Sequence, residues 1–188
     1  MKKPLTALAL AAALATPAFA ADSYTFDSNH TFPVFEVNHL GFSTQRGRFN
    51  KTAGQVTLDL AAKTGSVILT IDTKSLDMGF AAWNTHVSEE GFFNVEKYPT
   101  MTFKSDKLVF EGNKVVAAEG QFTLLGVTKP LTVTVNGFQC ATNPMNKKPL
   151  CAGDVTATIK RSDFGMTKFL PAVGDDIKIY VPVEAYKN

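Results

Sequence analysis

From about residue 23 onward, apolar and polar side chains alternate in short runs separated by turn-forming residues. Alternation with period two places one set on one face of a strand and the other set on the opposite face. In residues 34–39, Phe35, Val37 and His39 share a face, while Glu36 and Asn38 occupy the other. In residues 66–73, Val67, Leu69 and Ile71 alternate with Ser66, Thr70 and Asp72, which is the clearest strand signal in the chain. The same reading predicts strands over 23–27, 45–50, 54–60, 100–110, 115–125, 131–135, 154–160 and 176–185, with residues 161–174 irregular. Glu111-Gly112-Asn113 marks a tight hairpin turn between two of them.

One stretch breaks the pattern. Between about residues 78 and 91 the alternation stops, and Phe80, Trp83 and Val87 fall at helical spacing, with Gly91 as a stop. The pattern therefore predicts an all-β fold with one short helical insert (about 78–91) that covers a barrel end, an open sheet or a ligand. With no further helical stretch to make crossover connections, the strands should pair antiparallel. A barrel of roughly eight strands is wide enough for one slender ligand. On pattern alone a sandwich competes with it.

The first twenty residues stand apart. Lys2-Lys3, a short apolar run from Leu5 to Leu14, and Ala18-Phe19-Ala20 are the parts of a secretory signal peptide (1–20). The expectation is an exported, periplasmic protein comprising a single domain over residues 21–188, with no stable membrane insertion. Outward strand positions such as Thr132, Thr134, Thr156, Lys160 and Lys178 are polar, unlike the lipid-facing positions of a membrane barrel. Of 19 Lys and Arg, two lie in the leader, which leaves 17 against 17 Asp and Glu. That balance gives no basic footprint for nucleic acid. The two cysteines, Cys140 and Cys151, suit a disulfide in an exported chain. Their spacing is not C-x-x-C, no histidine lies nearby, and the intervening segment has turn chemistry. A structural staple is thus expected rather than a redox pair or metal site.

The three histidines, His30, His39 and His86, have no metal-ligand spacing, and the chain has no G-x-S-x-G motif. Glu89-Glu90 and Asp175-Asp176 lie beside turns, where solvated charge is the simple explanation. No nucleophile, base and orienter come together, so no catalytic residue, metal or catalytic cofactor is expected. The chain has 15 Phe, several in phase on strands (Phe35, Phe49, Phe103, Phe122) and others in the insert (Phe80, Phe92, Phe93). They fit either a filled core or an aromatic-lined tunnel. His39 fits either a satisfied core histidine or a polar contact for a ligand head group. His86 could edge a cavity mouth.

Several runs carry a family resemblance: Ser28-Asn29-His30, 35–41 (FEVNHLG), Gly47-Arg48-Phe49, Ser75-Leu76-Asp77, His86, Phe92-Phe93, 98–105 (YPTMTFKS), 120–130 (GQFTLLGVTKP) and 161–165 (RSDFG). Through these the chain resembles the YceI-like proteins, exported bacterial proteins with a lipocalin-like barrel. The resemblance spans essentially the whole chain after the leader. It implies an eight-stranded antiparallel barrel enclosing an apolar tunnel for a polyprenyl lipid or isoprenoid quinone of the ubiquinone type, often in a homodimer, and no enzymatic activity. It shifts the reading of the phenylalanines towards lining. The expected ligand-binding set is Phe35, Val37, His39, Phe49, Val67, Leu69, Ile71, Met78, Phe80, Trp83, Asn84, His86, Phe92, Phe93, Phe103 and Phe122. Many such proteins carry an Arg-Asp pair where this chain has Trp83-Asn84. An aromatic ring and an amide there suit a neutral head group, such as a quinone, over a phosphate. The competing expectation is an exported structural or stress-related interaction protein with a filled core and no specific ligand.

Overall fold

The computed structural model describes residues 21–188, so the expected signal peptide lies outside the described residues. The strands, in chain order, are β1 (Asp22–Phe26), β2 (Val34–His39), β3 (Ser43–Phe49), β4 (Thr52–Asp59), β5 (Thr64–Asp72), β6 (Leu76–Asp77), β7 (Thr100–Glu111), β8 (Lys114–Leu124), β9 (Val127–Thr142), β10 (Pro149–Lys160) and β11 (Val173–Lys187). All pairings are antiparallel. Eight of the strands close a ring, β1-β4-β5-β7-β8-β9-β10-β11 and back to β1. Ring closure settles barrel over sandwich.

The remaining strands follow from how β11 is shared. Its first half pairs with β2 and its last residues pair with β1, both antiparallel and both on the side away from β10. β1 and β2 are thus two segments of one interrupted wall. By the same logic β3 continues the line of β4, and β6 the line of β5, because β3 pairs with β2 as β4 pairs with β1, and β6 pairs with β3 as β5 pairs with β4. The barrel has a complete lower tier and an upper tier of β2-β3-β6 that is held to the ring along β11.

The inward set of each strand builds the core. Phe35, Phe49, Ile71, Met101, Phe103, Phe122 and Phe164 are buried in one cluster, and Tyr24, Phe26, Leu58, Val115 and Ala185 form a second cluster lower in the barrel. Phe35 owes its position to Gly47, its cross-strand partner: a Cβ at Gly47 would collide with the Phe35 ring and the Met78 sulfur. The glycine lets the ring lie across the neighbouring strand.

Three expectations are corrected. The helix α1 spans Ala81–Ser88, shorter than 78–91 at both ends. Gly79 has φ +96° and Phe80 is the extended N-cap, so the chain enters as a turn, and Glu89 returns to extended backbone at the other end. The cysteine segment is not a long loop. β9 and β10 run further than the alternation indicated, and Cys140 and Cys151 are directly opposed in their ladder, joined as a disulfide. Polar side chains at Asn136, Gln139 and Thr142 and the bulge between Ala152 and Asp154 interrupt the alternation there without interrupting the pairing. Asp175 is also more than solvated charge: its carboxylate accepts from the Ser162 amide and hydroxyl at 2.9 and 2.8 Å, which hold it below the usual carboxylate range.

Candidate functional site

The inward faces enclose a cavity of about 470 Å³, within the ~300–1,000 Å³ of small-molecule sites. It runs down the barrel from Val173 to Ala185 on β11. That is roughly 40 Å of strand at ~3.3 Å per residue, or about 30 Å along the axis at a typical ~40° tilt. The cavity is long and narrow rather than round. Its lower end is walled by Tyr24, Phe26, Val115, Phe138 and Cys151, and its middle by Leu69, Phe103, Phe122, Val133 and Val155.

The upper end differs in chemistry. His39, Gln45, Trp83 and His86 reach the cavity there. His39 and Trp83 ring centres lie 6.3 Å apart. His86 meets the edge of Phe92 at 4.9 Å and stacks near Phe169 at 6.5 Å. α1 and the turns after it bring these groups together: Trp83, His86 and Val87 line the cavity from the helix, Phe92 and Phe93 from the segment that follows. Phe93 N–H donates to the Val87 carbonyl and Val95 N–H to the Ser88 carbonyl, which folds the segment back under the helix.

Of the residues singled out in the sequence, Phe35, Val37, His39, Phe49, Val67, Leu69, Ile71, Met78, Trp83, His86, Phe92, Phe93, Phe103 and Phe122 line this one cavity. Phe80 and Asn84 do not. As the N-cap residue, Phe80 leaves the helical stripe and is 55% exposed, stacked 5.7 Å from Trp83. The Asn84 side-chain oxygen accepts from the Met78 N–H at 2.6 Å, so it fastens the entry turn instead of facing a ligand.

Sequence reasoning missed Arg161, the one charged residue on the lining and only 2% exposed. Nε donates to Gly174 O, one terminal nitrogen to Met166 O and the other to Val173 O, at 2.8–3.0 Å. Burial works against its charge, partly offset by Asp175. The guanidinium is therefore committed to fastening residues 166–174 beside the cavity. It was hidden because its partners are backbone carbonyls twelve or more residues away, for the most part, which no local motif reveals. Outside the barrel, Asp27, His30 and Glu184 form the one grouping of possible metal ligands among the described residues. His30 Nδ1 lies 2.8 Å from Asp27 Oδ2 and 3.9 Å from Glu184 Oε2.

The YceI-like domain profile matches residues 24–185, almost all of the barrel. The chain belongs to the YceI-like family. Among its relatives, a UPF0312 protein of Vibrio cholerae is 35% identical over 187 residues, covering 96% of this chain and 97% of that one. A UPF0312 protein of Pseudomonas aeruginosa is 35% identical over 194 residues, covering both chains fully. Solved structures share the barrel: Burkholderia cenocepacia BcnA superposes with TM-score 0.72 at 26% identity, covering 85% of this chain and 98% of that one. A polyisoprenoid binding domain from Saccharophagus degradans shares the fold at TM-score 0.62 and 14% identity, covering 88% and 98%.

Proposed function

We propose that this YceI-like protein binds a long-chain isoprenoid lipid in the barrel and carries or stores it in the periplasm, the ligand being an isoprenoid quinone of the ubiquinone type. The observation that carries the reading is the cavity itself: about 30 Å long on strand geometry, apolar along most of its length, with His39, Gln45, Trp83 and His86 meeting at its upper end and the lining Arg161 already committed to backbone carbonyls. A slender apolar chain fits the first part and a flat head group the second. Burying apolar surface stabilises such a complex by about 25 cal/mol per Å², of which only part survives as affinity after both partners are ordered. The polyisoprenoid-binding neighbour supports the ligand class through shared architecture.

Trp83, in place of the family's arginine, favours a neutral ring over a phosphate. Since Asn84 is occupied by Met78, the polar contacts to the head group fall to His39, His86 and Gln45. The residues lining the cavity bind and orient; none is assigned a catalytic step. A barrel with a merely filled core does not fit an open volume of this size.

The deciding experiment is mass spectrometry of an organic extract of the purified protein, beside a boiled blank and an unrelated exported protein. A near-stoichiometric isoprenoid quinone is expected. An empty extract, followed by no uptake of added quinone, overturns the proposal, and a polyprenyl phosphate in its place overturns the neutral-head-group part.

A further inference from the structure

Eight large apolar residues are exposed among the described residues, and four of them, Leu40, Phe42, Phe80 and Phe169, gather at the cavity's upper end. Contacts tie them into one rim. Phe80 stacks on Trp83, which neighbours His39. From His39 the chain turns through Leu40 and Phe42, the Phe42 N–H closing back on His39 O at 3.0 Å. Leu40 N–H donates to Ala172 O, and Val173 N–H to Phe169 O, which brings the turn beside Phe169. Phe169 in turn lies against Phe92 and His86.

The rim breaks two rules at once. Phe42 is 89% exposed, and Leu40, Phe80 and Phe169 are at least half exposed. Leu40 and Phe169 also sit at φ +57° and +63°, a left-handed conformation that suits Gly or Asn and costs a bulky residue. Local rules broken together at one place, with no gain inside the fold, point to function. An exposed apolar patch of this kind marks an interaction surface. One cation completes it: Lys168 Nζ lies 5.0 Å from the Phe92 ring centre and 5.4 Å from that of Phe169, and makes no ion pair among the described residues. Glu89 and Glu90 stand at the end of α1, so insertion of apolar side chains, rather than net charge, supplies the attraction.

We propose that this rim docks on a lipid bilayer, with Leu40, Phe42, Phe80 and Phe169 entering the head-group boundary and Lys168 meeting a lipid phosphate, so that a lipid passes between bilayer and cavity without crossing water. The inference rests on the lipid-binding reading above. It gives the cavity mouth a partner: aromatic side chains and a snorkelling lysine match the amphipathic boundary of a membrane.

The test uses unilamellar vesicles of phosphatidylethanolamine and phosphatidylglycerol (3:1) carrying ubiquinone-10, with the purified protein and the variant Leu40→Asn/Phe42→Ser. Neither residue lines the cavity, and Asn is better suited than Leu to φ +57°. Wild type is expected to float with the vesicles, and the variant to lose about tenfold in bound fraction and in the rate of quinone uptake. Quinone held after loading from detergent micelles should be unchanged. Equal flotation and uptake by wild type and variant, or uptake at a rate independent of vesicle concentration, overturns the docking. So does a variant that still floats but falls from dimer to monomer in sedimentation velocity, which makes the rim a contact between copies. Flotation that depends on Phe42, with no quinone held from micelles, would support docking and reject quinone binding instead.

Discussion

At the level of single residues, the polar side chains outside the cavity mostly hold loops in place, and two make testable contributions to stability. Thr31 is fully buried; its hydroxyl donates to Glu184 O and accepts from Glu184 N–H, both at 3.1 Å. Thr31→Val removes both bonds and leaves a buried amide unpaired, so a loss of about 1–3 kcal/mol is expected in urea unfolding. Next to it, the Asp27 carboxylate raises the His30 pKa, chiefly by hydrogen bonding, and His30 in the same way lowers that of Asp27. The raised histidine contributes fully below its unfolded pKa of about 6.5 and loses that contribution as pH climbs through the folded value. The lowered carboxylate contributes above about 3.9 and loses it as pH falls through its folded value. The pair therefore acts most between about pH 4 and 6.5. The Tm gap between wild type and His30→Gln should be widest near pH 5.5 and close towards pH 9; a gap independent of pH would mean the tie is not ionic.

At the level of elements, the β9–β10 hairpin has no partner from the upper tier, and the disulfide crosses it close to its turn. Closing a loop of about this length constrains the unfolded chain by about 2–3 kcal/mol. Replacing both cysteines by serine should lower unfolding stability by that amount and leave the pairing intact; retained quinone would separate the staple from the site. On the cavity side of the same hairpin, Ala157 faces the tunnel. Ala157→Trp should fill it and cut bound quinone severely, with an overpacking cost of no more than about 1–3 kcal/mol. Quinone bound as in wild type would show that the ligand does not thread this part of the barrel.

At the scale of the whole molecule, the alternation in 34–39 and 66–73 was enough to orient strands and place Phe35, Val37, Leu69 and Ile71 on the inside. It could not show that β1 and β2 share β11, since pairing between residues so far apart in the chain, such as Tyr24 with Lys187 and His39 with Val173, leaves no local trace. Helical spacing found Trp83 and Val87 on one face but misjudged Phe80, because a φ of +96° at Gly79 redirects the chain just before the helix. Asn84 and Arg161 look like site chemistry or plain loop in sequence; only their bonds to distant or neighbouring backbone reveal anchors. The two-tier wall has a further consequence. Among the described strands, β6 pairs with β3 alone, so the upper tier can part from β11 while the eight-stranded ring keeps every one of its own ladders. Opening should then be sub-global. In hydrogen exchange the amides of β2, β3 and β6 should trade with solvent well before those of β8, β9 and β10, and a bound lipid should slow the first group most.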